Sequence, residues 1–239
     1  MCNRAAREEQ LLYGEWQKRL AQLRAQQVAI PKGGASLFYG GTLANGRVSV
    51  LLVGKATGGW DDDSNPPRAT EEFLAHCLDS YHSPDCGHVK RKTCPPYHSH
   101  FWHFAAELAR AVASEGGCPF DGLAWTNLAK IAPTARGNAG LRLFREQHGL
   151  AVETLKAEIR YHQPGVVVFA TCGYHDKAVF EILGLQGWDD FECDKDHTCG
   201  WVGRRGGRPP ALVTQHPQGK PRETRCAWVA KARELASAQ

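Results

Sequence analysis

Val48-Ser49-Val50-Leu51-Leu52-Val53 is an aliphatic run broken only by Ser49, and it ends abruptly in the loop Gly54-Lys55-Ala56-Thr57-Gly58-Gly59-Trp60-Asp61-Asp62-Asp63. A run of this length that is continuously apolar rather than alternating reads as a strand buried on both faces, as in a parallel sheet covered by helices. Three more segments of the same character follow, at 123–128, 165–171 and 211–215. Between them, Phe101, Phe104, Leu108 and Val112 fall on one helical face, Leu150, Val152, Leu155 and Ile159 do so more loosely, and 174–183 can form a further helix. Strands alternating with helices predict an α/β fold, a three-layer α/β/α sandwich around a central, mostly parallel four-stranded sheet.

Working outward from this frame, Leu11, Leu12, Trp16, Leu20 and Leu23 recur near helical spacing and predict an amphipathic helix over about 5–28, ended by Pro31-Lys32-Gly33-Gly34. The chain has 239 residues, 42% of them hydrophobic, enough for one substantial core, so a single domain over 1–239 is expected. The 48–53 run is far shorter than the roughly 20 residues that cross a bilayer. The amino terminus mixes Arg4, Arg7, Glu8 and Glu9 where a secretion signal would be apolar, so the expectation is a cytoplasmic protein with no membrane partner. Nine cysteines, an odd number, in a chain without such a signal favour reduced thiols or a metal site over a disulfide scaffold. The formal charge of +4 is too small to demand a polyanionic partner, but the cations cluster at 90–92, 204–208 and 220–225.

In parallel α/β sheets ligands sit beyond the carboxyl ends of the strands, which directs attention to the loops that follow them. The first loop has three glycines, so its backbone can approach a ligand closely, and Trp60 offers a flat face for a base. The second strand ends in Trp125-Thr126-Asn127-Leu128, and an Asn there can either cap a turn or offer a paired donor and acceptor. The last ends in His216-Pro217-Gln218-Gly219-Lys220-Pro221-Arg222-Glu223-Thr224-Arg225. A neutral His there can donate to a developing oxyanion, and Lys220, Arg222 and Arg225 can hold phosphates.

The order of these three strand-end motifs resembles the uracil-DNA glycosylase superfamily over about 48–225. Gly54-Lys55-Ala56-Thr57-Gly58 is similar to its Gly-x-x-Pro-Gly-like first motif, Asn127 to its strand-ending Asn, and His216-Pro217-Gln218 to its His-Pro-Ser motif with basic residues after it. Phe101-Trp102-His103-Phe104, opening a helix between the first two, fits the same layout. The resemblance implies removal of uracil or a related damaged base from DNA by cleavage of its N-glycosidic bond, the base being flipped out of the stack. It implies that Asn127 reads the edge of the base, that His216 bonds the carbonyl oxygen gathering charge, and that Trp60 or Phe101 stacks on the base. Gly54, Lys55, Ala56, Thr57 and Gly58 would line the base pocket, with Lys220, Arg222 and Arg225 on the phosphates.

Two departures bear on this expectation. The first motif carries Lys55-Ala56-Thr57 where several relatives place a carboxylate, leaving Asp61, Asp62 and Asp63 as the candidates that orient water. Gln218-Gly219-Lys220 supplies no apolar wedge to fill a duplex, which shifts the expected partner toward single-stranded DNA. A non-catalytic nucleotide- or nucleic-acid-binding protein of the same fold is the alternative.

The segment 76–103 reads as an insertion dense in Cys and His. Cys86, His88, Cys94 and His98 are candidate ligands of a structural zinc, which takes four such groups, although no Cys-x-x-Cys spacing occurs in the chain. No cofactor is expected for the cleavage itself. A metal-dependent hydrolase organised by this belt is the third reading. Cys193, His197 and Cys199 form a second short group, able to supply ligands or to fill a hairpin.

Overall fold

The computed structural model describes residues 2–26, 35–37, 41–42, 47–56, 100–112, 122–133, 138–171, 181–182, 184, 189–194, 197–203 and 209–238. The aliphatic run that begins at Val48 becomes β3 (Val50–Ala56), the second of four parallel strands. Its neighbours are β4 (Leu123–Ala129), with Gly54 opposite Asn127, and β6 (Val166–Phe169), with Val53 opposite Phe169. β9 (Ala211–Thr214) continues the parallel set against β6. The carboxyl ends of β3, β4, β6 and β9 therefore all open on one side.

The sheet extends beyond the four strands expected from sequence. β2 (Gly41–Thr42) pairs antiparallel with β4 at one edge, and a hairpin of β7 (Asp189–Asp194) and β8 (His197–Gly203) pairs antiparallel with β9 at the other. The result is a seven-stranded mixed sheet in the order β2-β4-β3-β6-β9-β8-β7. β1 (Ala35–Leu37) and β5 (Ile131–Pro133) form a separate two-stranded ribbon. The acidic, bulged β7 sits at an edge, where a strand carrying charge resists pairing with other chains.

Consecutive strand residues divide between two cores, which makes the sandwich explicit. Leu51, Val53, Leu128, Val167, Phe169 and Val213 pack with α1 (Cys2–Gln26) and α3 (Leu141–His162). Val50, Leu52, Leu123, Val166, Val168 and Leu212 pack on the other face with α2 (His100–Val112) and α4 (Arg222–Ser237). Each buried aliphatic side chain contributes about 1.5–3 kcal/mol relative to exposure, so the double burial of the central strands dominates the fold's stability. α1 starts slightly before and ends slightly before the expected 5–28, and the last four residues of the expected 76–103 insertion belong to α2. Of the helix expected over 174–183, Glu181 and Ile182 are described and are helical.

Several polar side chains within the layer facing α1 and α3 are paired. Trp16 Nε1 donates to Thr154 Oγ1 at 2.8 Å, fastening α1 to α3, and Gln147 exchanges two hydrogen bonds with the backbone of Ile131 at 2.7 and 2.8 Å. Lys130 is fully buried at the end of β4, where its ammonium meets Glu158 of α3 at 2.6 Å and also donates to Thr126 Oγ1, which in turn donates to Glu158. No helix among the described residues is long and apolar enough to cross a membrane.

Candidate functional site

Of the segments expected to carry chemistry, Gly54 to Ala56, Asn127 to Lys130 and His216 to Arg225 are described, and they lie at the carboxyl ends of the parallel strands. Pleating places Trp125 and Asn127 on the same face of β4, toward α2, and the parallel register sets Asn127 beside Gly54. The Asn127 side chain is buried at 3% exposure. Gly54 has no room for a side chain: a Cβ there would collide with Asn127 Oδ1 and lie 3.3 Å from Cε2 and Cζ of Phe101. Glycine at this position thus lets the Asn127 amide and the Phe101 ring close over the strand end. Gly54→Ala is expected to cost about 1–3 kcal/mol by overpacking and to displace Asn127, which thermal denaturation with a crystal structure of the variant checks.

Phe101 stands in the first turn of α2 and connects both sides of the site. Its ring is 6.1 Å from Trp125 and 6.2 Å from the His216 ring, and it lies within 20° of parallel to His216. Trp102 closes the cluster edge-on, 4.5 Å from Trp125. Trp102 and Trp125 stand in motifs read from the sequence but were given no role in the site. Alternation along β4 was the available signal for Trp125, since a residue two before Asn127 must share its face.

His216 is half-buried just beyond β9. Its Nδ1 accepts the Gln218 backbone amide at 3.3 Å, so a neutral ring carries its proton on Nε2. Burial, then Lys55, then His100 push the imidazole below its ordinary value of 6.5. His216 is therefore a neutral donor at physiological pH. By the same linkage, its contribution to stability is present above pH 6.5 and is lost as pH falls through the depressed value.

The turn that follows holds this geometry. Lys220 N donates to Pro217 O at 3.3 Å, and Gly219 has φ +72°, a conformation costly for other L-residues. Gly219→Ala should lower stability by about 1–2 kcal/mol, measurable by urea denaturation, with an unchanged melting midpoint as the contrary result. Arg225 points inward: its Nη1 donates to Lys220 O at 3.0 Å and its Nε lies 3.6 Å from Glu107 of α2. It braces the turn against α2, whereas Arg222 is exposed and Lys220 half-exposed. Glu107 was not foreseen from sequence, since only the folded packing of α2 on α4 sets it opposite Arg225.

Gly54, Lys55, Phe101, Asn127, His216, Lys220 and Arg222 thus lie on the loops and strand ends of one side of the sheet. Ala56 ends β3. Thr57, Gly58, Trp60, Asp61, Asp62 and Asp63 lie outside the described residues, as do the zinc candidates Cys86, His88, Cys94 and His98. Among the described residues no group of three or more His, Cys, Asp or Glu side chains is gathered for a metal.

No family model matches the chain, and no curated protein matches it. Among solved structures it is similar to a domain of unknown function, DUF1537, from Bordetella bronchiseptica, crystallised as a domain-swapped dimer with bound citrate. The identity is 16% and the TM-score 0.35, and the match covers 80% of this chain and 41% of that one. The chain spans less than half the length of that structure. A likeness at this level carries no functional argument.

Proposed function

We propose that the protein is a DNA glycosylase-like enzyme that removes uracil or a related base, using Asn127 and His216 on a base stacked against Phe101. The observation that carries this reading is that Phe101 of α2 packs beside both the end of β3 that abuts the buried Asn127 amide and the neutral imidazole donor that follows β9. The nearly parallel Phe101 and His216 rings, 6.2 Å apart, would set an aromatic face and an imidazole donor beside the same base.

In this reading Asn127 donates to one carbonyl and accepts from the ring N–H of the base. As the bond from base to sugar breaks, its electron pair passes to the base, and charge gathers on the carbonyl oxygen facing His216. A fixed neutral donor stabilises that charge without giving up its proton. Water completes the reaction at the sugar carbon, and Asp61, Asp62 and Asp63 remain the candidates to orient it. Lys220 and Arg222 extend toward solvent where strand phosphates would run, giving affinity that falls with salt.

Oligonucleotides containing uracil, single- and double-stranded, test the reading when treated with alkali after incubation to reveal abasic sites. Strand scission by the wild type and its loss in Asn127→Ala are expected. Binding without scission on any base would instead favour the alternative, a binding protein of the same fold. Because the neutral imidazole is the active form, the single-turnover rate between about pH 5 and 8 should show an acidic limb whose midpoint lies below 6.5. A midpoint above 6.5 would contradict the neutral-donor assignment.

A further inference from the structure

A second cavity lies at the opposite, amino-terminal end of the parallel strands. It has a volume of about 480 Å³ and is walled by the start of β3, the residue before β6, and the last turns of α2 and α4. Its polar side chains are Arg47, Ser49, Arg233 and Ser237, with Val48, Ala111, Val112 and Ala236 between them. Among the described residues no carboxylate lines it. Arg47 and Arg233 are exposed, and neither guanidinium has a hydrogen-bonding or ionic partner among the described residues.

We propose that this pocket binds a small polyvalent oxyanion of the phosphate type. Two guanidinium forks match the tetrahedral oxygens of phosphate, and the two serine hydroxyls can donate beside them. The backbone amides of the wall are already committed, Ser49 N to Gly122 O at 2.8 Å and Gly165 N to Val48 O at 3.2 Å, so binding falls to side chains. The carboxyl ends of α2 and α4 oppose an anion with about half a charge each, against two full positive charges from the arginines. The balance stays positive. Among the described residues no aromatic side chain lines the pocket, and its two arginines and two serines direct the ligand toward phosphate, pyrophosphate or an aliphatic phosphate ester.

This pocket is separated by the length of the sheet from the site of the proposed base removal, and the inference stands independently of it. Calorimetric titration of the full chain with sodium pyrophosphate and with inorganic phosphate, at constant ionic strength set by sodium chloride, tests it. Saturable one-to-one binding is expected for the wild type and for Arg142→Gln/Arg145→Gln, which alters two exposed arginines of α3. Arg47→Gln/Arg233→Gln should weaken it by at least about tenfold. Ser237→Glu, which places a carboxylate at the exposed rim, should weaken it likewise and serves if the double variant does not fold. Heats that do not saturate for the wild type, or equal affinity in the pocket variants, would overturn the assignment.

Discussion

Lys130→Met is expected to lower the unfolding free energy by about 3–5 kcal/mol, because it removes the ammonium paired with a buried carboxylate. Glu158 is 7% exposed and its Oε2 has no hydrogen-bond partner among the described residues, so the lost ammonium leaves a charge with little but Thr126 Oγ1 to hold it. The partner change Lys130→Met/Glu158→Leu should recover most of the loss, since two apolar groups of similar volume carry no desolvation cost. Urea denaturation of the wild type, the single variant and the double variant checks the pair. A single variant as stable as the wild type would mean that water reaches Glu158.

His216→Ala is expected to slow base release by roughly 10²–10³-fold, the effect of removing one preorganised donor from a developing oxyanion. The ring is aligned before any ligand arrives, through the Gln218 amide on Nδ1 and the near-parallel Phe101 face. Its loss should therefore appear in the chemical step more than in binding. His216→Gln restores a donor without the ring's fixed direction and should recover only part of the rate. Single-turnover kinetics with a uracil-containing strand in excess enzyme separates these outcomes, and wild-type rates in His216→Ala would remove the residue from the chemistry.

The four parallel strands were legible because each contains a short, largely apolar run, a pattern that burial on both faces explains. The edge strands were not. β7 reads Asp189-Asp190-Phe191-Glu192-Cys193-Asp194, acidic enough to pass for a loop, and its strand state comes from pairing with β8, itself templated by β9. β1, β2 and β5 are two or three residues long, below any window in which periodicity can register. The places of Asn127 and His216 at the carboxyl end of the sheet were legible because each closes or directly follows a strand segment readable in the sequence. Lys130 at the end of β4 has the sequence character of a surface residue, and only Glu158 on the inner face of α3 makes its burial tolerable. Arg225 was misleading for the same reason in reverse: a basic residue in a basic run is turned inward by Glu107 and a backbone carbonyl.

Cleavage of an N-glycosidic bond at the strand-end site, as proposed, is measured most directly by the amount of free base released from a uracil-containing single strand. Stoichiometric release by the wild-type chain is expected, with release abolished in Asn127→Ala and reduced by at least about a hundredfold in His216→Ala. Binding of the strand by the wild type with no free base, from uracil or any related damaged base, would contradict the proposal.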